Sequence, residues 1–465
     1  MKKTYFAFLA ALPLVLSSCV SLLPSLPTVT IEADEWVGVA PFSVSFQAHL
    51  ALAKPDPKAQ WTYRWDFGDG AMGEGGQATH TYAAPGRYRV VLALSDDEGF
   101  STERTMSITA LAEPRFELER LATGLTPTAT AAIDVNMDGR PDLVTANAQS
   151  HSISVFVAQE GGFAGSPYQY PAIKSPSPEL QPQFIGKGDF NRDTLQDLIV
   201  INSPDDNVTL LFGNGRGGFD TPSGYRISKP RMSLTADFNA DGNQDVVVLG
   251  TSGSNSRLVM MYGRGTGELT LGQTILEQFA IADVTKGDFD RDGDVDLAIA
   301  SQAFGFEYRV LLNDRGAFQS LHDGLMSAKP NAMVAMDFDS DGALDLVTGN
   351  TDGSITLLKG LGTGAFEELG SLTTALGQIS KLVVGDLNGD GADDVVMQYQ
   401  RQGQVDIALL LGDGQGAFSK PYPISGLSGA ACPVVADADG DGRKELIMVN
   451  PQTNELLIAW NRTPR

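Results

Sequence analysis

The nine residues Asp288-Phe289-Asp290-Arg291-Asp292-Gly293-Asp294-Val295-Asp296 place carboxylates at the first, third, fifth and ninth positions and a glycine at the sixth. A hard cation such as calcium takes several oxygen ligands at once. A chain supplies them by alternating acids along a tight loop and adding one more acid as it leaves. Glycine at the sixth position admits the sharp reversal that a Cβ obstructs. The apolar run Leu297-Ala298-Ile299-Ala300 that follows reads as a short buried strand. This is therefore a calcium loop joining two strands, not two helices.

The pattern occurs seven times, and we number the copies loops 1 to 7. Loop 1 carries Asp134, Asn136, Asp138 and Asp142, and loop 2 carries Asp189, Asn191, Asp193 and Asp197. Loop 3 carries Asp237, Asn239, Asp241 and Asp245, and loop 4 carries Asp288, Asp290, Asp292 and Asp296. Loop 5 has Asp337, Asp339, Asp341 and Asp345; loop 6 has Asp386, Asn388, Asp390 and Asp394; loop 7 has Asp437, Asp439, Asp441 and Glu445. First positions are separated by 55, 48, 51, 49, 49 and 51 residues, a period that belongs to propellers and solenoids. The second position is apolar throughout (Val135, Phe190, Phe238, Phe289, Phe338, Leu387, Ala438). Loop 2 departs at the sixth position, where Thr194 replaces glycine. A β-branched residue resists positive φ, so this site is expected to be weak or empty. Glu445, one methylene longer than Asp, is expected still to reach.

Bulk properties agree. A chain of 465 residues has room for two or more domains, and 42% hydrophobic against 19% charged residues fits packed domains rather than disorder. The 51 glycines, with no long amphipathic helix past the N-terminus, read as all-β with many turns. The net charge of −24 argues against a nucleic-acid partner, which demands a basic face. The loops account for the acidity: their ligand positions hold three carboxylates each in loops 1, 2, 3 and 6 and four each in loops 4, 5 and 7.

Lys2 and Lys3 followed by the apolar run from Tyr5 to Leu16 form an export signal, too short to span a bilayer. Leu16-Ser17-Ser18-Cys19 resembles the bacterial lipobox. That resemblance implies a signal peptide over residues 1–18, lipidation of Cys19, and a lipidated tether over residues 19–28. A plain secretory signal with an incidental cysteine is the alternative. With Val20 rather than Asp next to the lipidated residue, the expected destination in a Gram-negative cell is the outer membrane. Cys432, the other cysteine, is expected to be a buried apolar side chain in an inner strand.

Residues 29–110 form a separate segment. Gly38 to Phe46 alternates like a half-buried strand, Tyr63-Arg64-Trp65-Asp66-Phe67-Gly68-Asp69-Gly70 runs into a turn, and Pro85-Gly86 leads into Arg87 to Leu92. These residues resemble the PKD domain, which implies an immunoglobulin-like β-sandwich. Trp65 and Phe67 are read as core, and Asp66 and Asp69 as turn formers.

From Phe116 onward each repeat reads as four strands, with a glycine turn before the fourth: Gly217-Gly218-Phe219, Gly364-Ala365-Phe366, Gly416-Ala417-Phe418. The repeats resemble the FG-GAP and VCBS families, β-propellers with calcium loops like those of integrin α-subunits. The resemblance implies a seven-bladed propeller over residues 115–465, with up to seven calcium ions on the side chains named above and on the carbonyl of each seventh residue. Phe116 precedes Asp134 by 18 residues, the same interval that separates Phe219 from Asp237. Phe116 to Leu121 thus reads as a detached fourth strand that completes the last repeat and closes the ring, removing exposed edges.

No catalytic constellation stands out. His49, His80, His151 and His322 form no metal-protease spacing, and no nucleophile elbow occurs. Two readings stay open. One is a membrane-anchored, non-catalytic binding, adhesion or scaffold module for an extracellular or envelope protein or glycan. The other is a polysaccharide-acting lyase or hydrolase built on the propeller. Contact candidates away from the loops are Ser301 to Tyr308, Gln398-Tyr399-Gln400-Arg401-Gln402, and the Pro- and Tyr-rich insert from Ala164 to Pro182.

Overall fold

A computed structural model describes residues 28–51, 60–97, 99–163, 165–171, 181–220, 223–302, 305 and 307–464. The export signal, Cys19, nearly all of the tether, Ala164 and residues 172–180 of the insert, and Ala303, Phe304 and Phe306 lie outside the described residues. The described chain is all-β apart from one short 3-10 turn at Ser203–Asp205. It divides into two compact units: Met1–Glu35, Ser43–Thr81 and Tyr88–Ile108, and then Trp36–Phe42, Tyr82–Arg87 and Thr109–Arg465. The division groups Trp36–Phe42 and Tyr82–Arg87 with the repeats, although the sequence places them in the first domain.

The N-terminal segment has two sheets. One joins Thr28–Ala33, Phe42–Ala51 and Gln77–Tyr82; the other orders Val37–Val39, Ser101–Leu111, Gly86–Asp96, Trp61–Asp66 and Met72–Glu74. Alternation within Phe42–Ala51 puts Val44 and Phe46 inside. Phe46 packs on Trp65 with ring centroids 5.5 Å apart. Asp66 and Asp69 accept from Gly68 N and Ala71 N at 2.9 and 3.0 Å, which is the chemistry of Asx turns.

The repeats form seven four-stranded antiparallel sheets. In sheets 1 to 6 the strands follow chain order, as in Pro127–Ile133, Asp142–Asn147, Ser152–Phe156 and Tyr168–Pro171 of sheet 1. Sheet 7 takes Ala431–Ala436, Glu445–Asn450 and Glu455–Asn461, and its fourth strand is Phe116–Ala122. There Phe116 pairs with Asn461 and Ala122 with Glu455. Each acid-rich loop connects the first and second strands of its sheet.

Each sheet shares a hydrophobic core with the next, and sheet 7 shares one with sheet 1. In that last core, Ile447 and Ile458 of sheet 7 meet Leu143 and Phe156 of sheet 1. Stacking on both faces explains why second strands such as Leu198-Ile199-Val200-Ile201 read as unbroken apolar runs.

Three expectations change. Cys432 is half-buried rather than buried. A register shift between Ala431 and Val434 takes it to φ +54°, and its thiol lies 2.9 Å from the Thr128 carbonyl. Tyr399 and Tyr308 are buried in the cores between sheets 5 and 6 and between sheets 4 and 5, so neither is a surface aromatic. Gln398 is likewise engaged, accepting from Cys432 N at 2.7 Å and donating to Ser380 Oγ at 3.0 Å.

Candidate metal centre

All seven loops have one backbone shape. The fourth residue is left-handed in every copy (Met137, Arg192, Ala240, Arg291, Ser340, Gly389, Gly440), and so is the sixth (Gly139, Thr194, Gly242, Gly293, Gly342, Gly391, Gly442). Thr194 takes φ +71°, so loop 2 keeps the common form despite its β-branched residue. The first-position carboxylate accepts from the sixth N–H in each loop at 2.7–3.1 Å, including Thr194 N to Asp189 Oδ2 at 2.9 Å. The fifth accepts from the seventh N–H at 2.8–2.9 Å.

The ninth-position acid has a second task that spacing did not reveal. Each one is fully buried. One oxygen accepts from the N–H of the loop's second residue, as in Phe289 N to Asp296 Oδ2 at 2.9 Å. In sheets 1 to 6 the other oxygen accepts from the end of the third strand: Ala158, Gly213, Gly263, Asn313, Gly360 and Gly412, at 2.7–3.0 Å. The acid thus latches loop to strand. Four of these donors are glycine because a Cβ at Gly213, Gly263, Gly360 or Gly412 would come within 2.0–2.5 Å of the carbonyl oxygen of the loop's eighth residue.

A further hydrogen bond ties each of loops 1 to 6 to the following sheet. Gly217, Gly267, Gly364 and Gly416, all in glycine turns, donate N–H to the carbonyls of Val135, Phe190, Phe289 and Phe338 at 2.9–3.1 Å. Sheets 4 and 7 use a side chain instead: Asn313 Nδ2 reaches Phe238 O at 2.7 Å, and Asn461 Nδ2 reaches Leu387 O at 2.9 Å. The apolar second position has a matching partner, since Phe238, Phe289 and Phe338 pack on Phe318, Phe366 and Phe418 with centroids 5.6–6.1 Å apart. Loops and glycine turns therefore share one edge of the array.

The loops differ in charge. In loops 1, 2, 3 and 6 the third-position Asn donates to the fifth-position Asp at 2.8–3.0 Å. Loops 4, 5 and 7 have Asp there, and three carboxylates in each bring oxygens within 4.8 Å of one another: Asp288, Asp290 and Asp296; Asp337, Asp339 and Asp345; Asp437, Asp439 and Asp441. Burial, then the neighbouring loop carboxylates, pushes Asp197, Asp245, Asp296 and Asp345 up to about 6 and Glu445 to about 7; Asp142 and Asp394 are raised too. Glu445 Oε1 and Asp189 Oδ1 are buried with no hydrogen-bond partner. An all-oxygen donor set with orphaned buried carboxylate oxygens fits a hard divalent cation.

Comparisons agree with this organisation. The PKD domain family matches residues 27–110, and the FG-GAP-like repeat matches residues 237–299, 337–397 and 386–448. A chain of the crystal structure of BBS1N in complex with ARL6DN, soaked with mercury, superposes with a TM-score of 0.52 at 12% identity, over 76% of this chain and 97% of its own; the likeness is one of fold. A lectin of Agrocybe aegerita, whose structure concerns recognition of non-reducing terminal N-acetylglucosamine, gives a TM-score of 0.46 at 16% identity over 74% and 91% of the two chains. This protein carries a PKD domain followed by FG-GAP-like repeats.

Proposed function

We propose that the repeats form a calcium-stabilised, seven-bladed β-propeller that serves as a non-catalytic binding or scaffold module for an extracellular or envelope protein or glycan. The PKD domain precedes it, and a lipid on Cys19 holds the protein to the membrane, the outer one in a Gram-negative cell. The observation that carries this reading is the recurrence of one acid-rich loop along a single edge of seven sheets whose cores close in sequence. Side chains at the first, third, fifth and ninth positions, with the seventh carbonyl, would hold each ion. Bound calcium supplies positive charge to carboxylates that otherwise repel one another.

Extracellular calcium modules bind at ~10⁻⁴–10⁻³ M. At about 1 mM calcium each site then contributes roughly 0.4–1.4 kcal/mol, and six or seven together roughly 3–10 kcal/mol, comparable to the stability of a whole domain. Melting the full chain in about 1 mM calcium and in chelator tests the metal. A large fall in Tm on chelation is expected, and an unchanged Tm would remove the calcium. Saturable retention of an envelope protein or glycan without product formation supports the binding role. Turnover that is lost on substitutions away from the loop edge would replace it with the enzymatic one.

A further inference from the structure

Loop 5 differs from the other all-acid loops in what lies beside it. The third strand of sheet 5, Ser354–Gly360, places Lys359 next to the latch donor Gly360. The corresponding residues of the other sheets are Val157, Phe212, Tyr262, Leu312, Leu411 and Trp460, all apolar or aromatic. Lys359 Nζ contacts Asp339 Oδ2 and lies 2.8 Å from Asp341 Oδ2, both in its own loop. Loop 4, equally acidic, has no ion pair to Asp288, Asp290, Asp292 or Asp296 among the described residues; its Arg291 turns instead to Asp341 of loop 5 at 3.8 Å. In loop 7 the cations are arginines from neighbouring positions, Arg462 lying 3.7 Å from Asp439 and Arg443 3.6 Å from Asp441.

We infer that Lys359 is a built-in counter-ion for loop 5. Its ammonium engages the third- and fifth-position carboxylates that a divalent ion would use, so loop 5 holds metal more weakly than its acid count implies. The inference rests on the calcium reading above. An ammonium and a metal ion compete for the same oxygens, and a charge-assisted contact must be broken before the ion enters. The chain itself thereby supplies part of the positive charge that the carboxylates of loop 5 would otherwise take from calcium.

The test is calorimetric titration of the full chain with calcium chloride, comparing wild type with Lys359→Met, which keeps the stem and removes the charge, and with Lys359→Arg, which keeps the charge. Lys359→Met should gain one ion per chain or tighten the weakest site by roughly tenfold, while Lys359→Arg should resemble wild type. In chelator Lys359→Met should melt below wild type, and calcium should close that gap; a lysine that served only for packing would cost the same in both conditions. Equal stoichiometry and affinity in wild type and Lys359→Met would overturn the counter-ion while leaving the calcium loops standing. Absence of calcium binding in every chain would remove both.

Discussion

Loops 2 and 4 have the same fold and opposite chemistry. In both, an arginine at the fourth position is left-handed (Arg192 at φ +60°, Arg291 at +64°). Each arginine reaches the carbonyl of the fifth residue of the next loop, Asp241 at 3.4 Å and Asp341 at 3.3 Å. Yet loop 2 pairs its third position internally, Asn191 Nδ2 to Asp193 Oδ2 at 2.8 Å. Loop 4 instead sets Asp290 among other acids, where burial and then the charge of Asp292 raise its carboxyl. Shape and charge are therefore separable. The backbone form comes from turn hydrogen bonds, which every loop has, and from the buried ninth acid, which latches loop to third strand in sheets 1 to 6. The excess of negative charge comes from the third position, which differs.

The strongest way to break this comparison is to remove the latch from each loop. Asp197→Ala and Asp296→Ala both strand two buried backbone N–H groups, those of Phe190 and Gly213 or of Phe289 and Asn313. Each stranded donor costs about 1–3 kcal/mol, so each variant should lose roughly 2–5 kcal/mol in denaturant melts, and should do so in chelator as well as in calcium. A loss confined to calcium would mean that the ion, not the latch, shapes the loop.

A smaller effect sharpens the charge side. With the folded Asp197, Asp245, Asp296 and Asp345 near 6 and Glu445 near 7, the folded chain holds protons that the unfolded chain releases from about pH 4 upward. That stability is complete below the unfolded pKa and is lost as pH rises through the folded one. In chelator, Tm should fall between about pH 4 and 7. Calcium, taking over the protons' role, should flatten the profile. Asp290→Asn, which gives loop 4 the third position of loop 2, should make the fall shallower. A profile in chelator that rises over this range would contradict the raised acids.

The legible part of the molecule is what local spacing encodes. Acids at alternate positions followed by Leu297-Ala298-Ile299 mark a loop and its outgoing strand, and the 18-residue interval from Phe116 to Asp134 marks the strand that completes sheet 7. The latch was not legible, because the partner of Asp245 is Gly263, 18 residues on, and its glycine looks like any other turn glycine. Lys359 was hidden for the same reason: its contact with Asp339 exists only once the third strand lies beside the loop. Tyr399 failed differently. Gln398-Tyr399-Gln400-Arg401 reads as a polar loop end, but the strand continues to Arg401, and the alternation buries the tyrosine between sheets 5 and 6.

The smallest effect concerns the sixth position, where loop 2 has threonine and loop 4 glycine. A left-handed non-glycine residue costs about 1–2 kcal/mol, and glycine costs about 0.5–1 kcal/mol in unfolded-chain freedom. Thr194→Gly should therefore gain roughly 0.5–1 kcal/mol. The reverse change, Gly293→Thr, should cost about as much and no more, because a Cβ at Gly293 meets nothing within 4 Å. Gly242→Thr in loop 3 should cost more than Gly293→Thr, since its Cβ would lie 2.6 Å from Arg192 Nη2 and push the arginine off the Asp241 carbonyl. Denaturant midpoints of the three variants in chelator measure this order. If Gly293→Thr proved the costlier of the two threonine variants, the sixth glycine of loop 4 would have a role beyond backbone freedom, and the separation of shape from charge would fail there first.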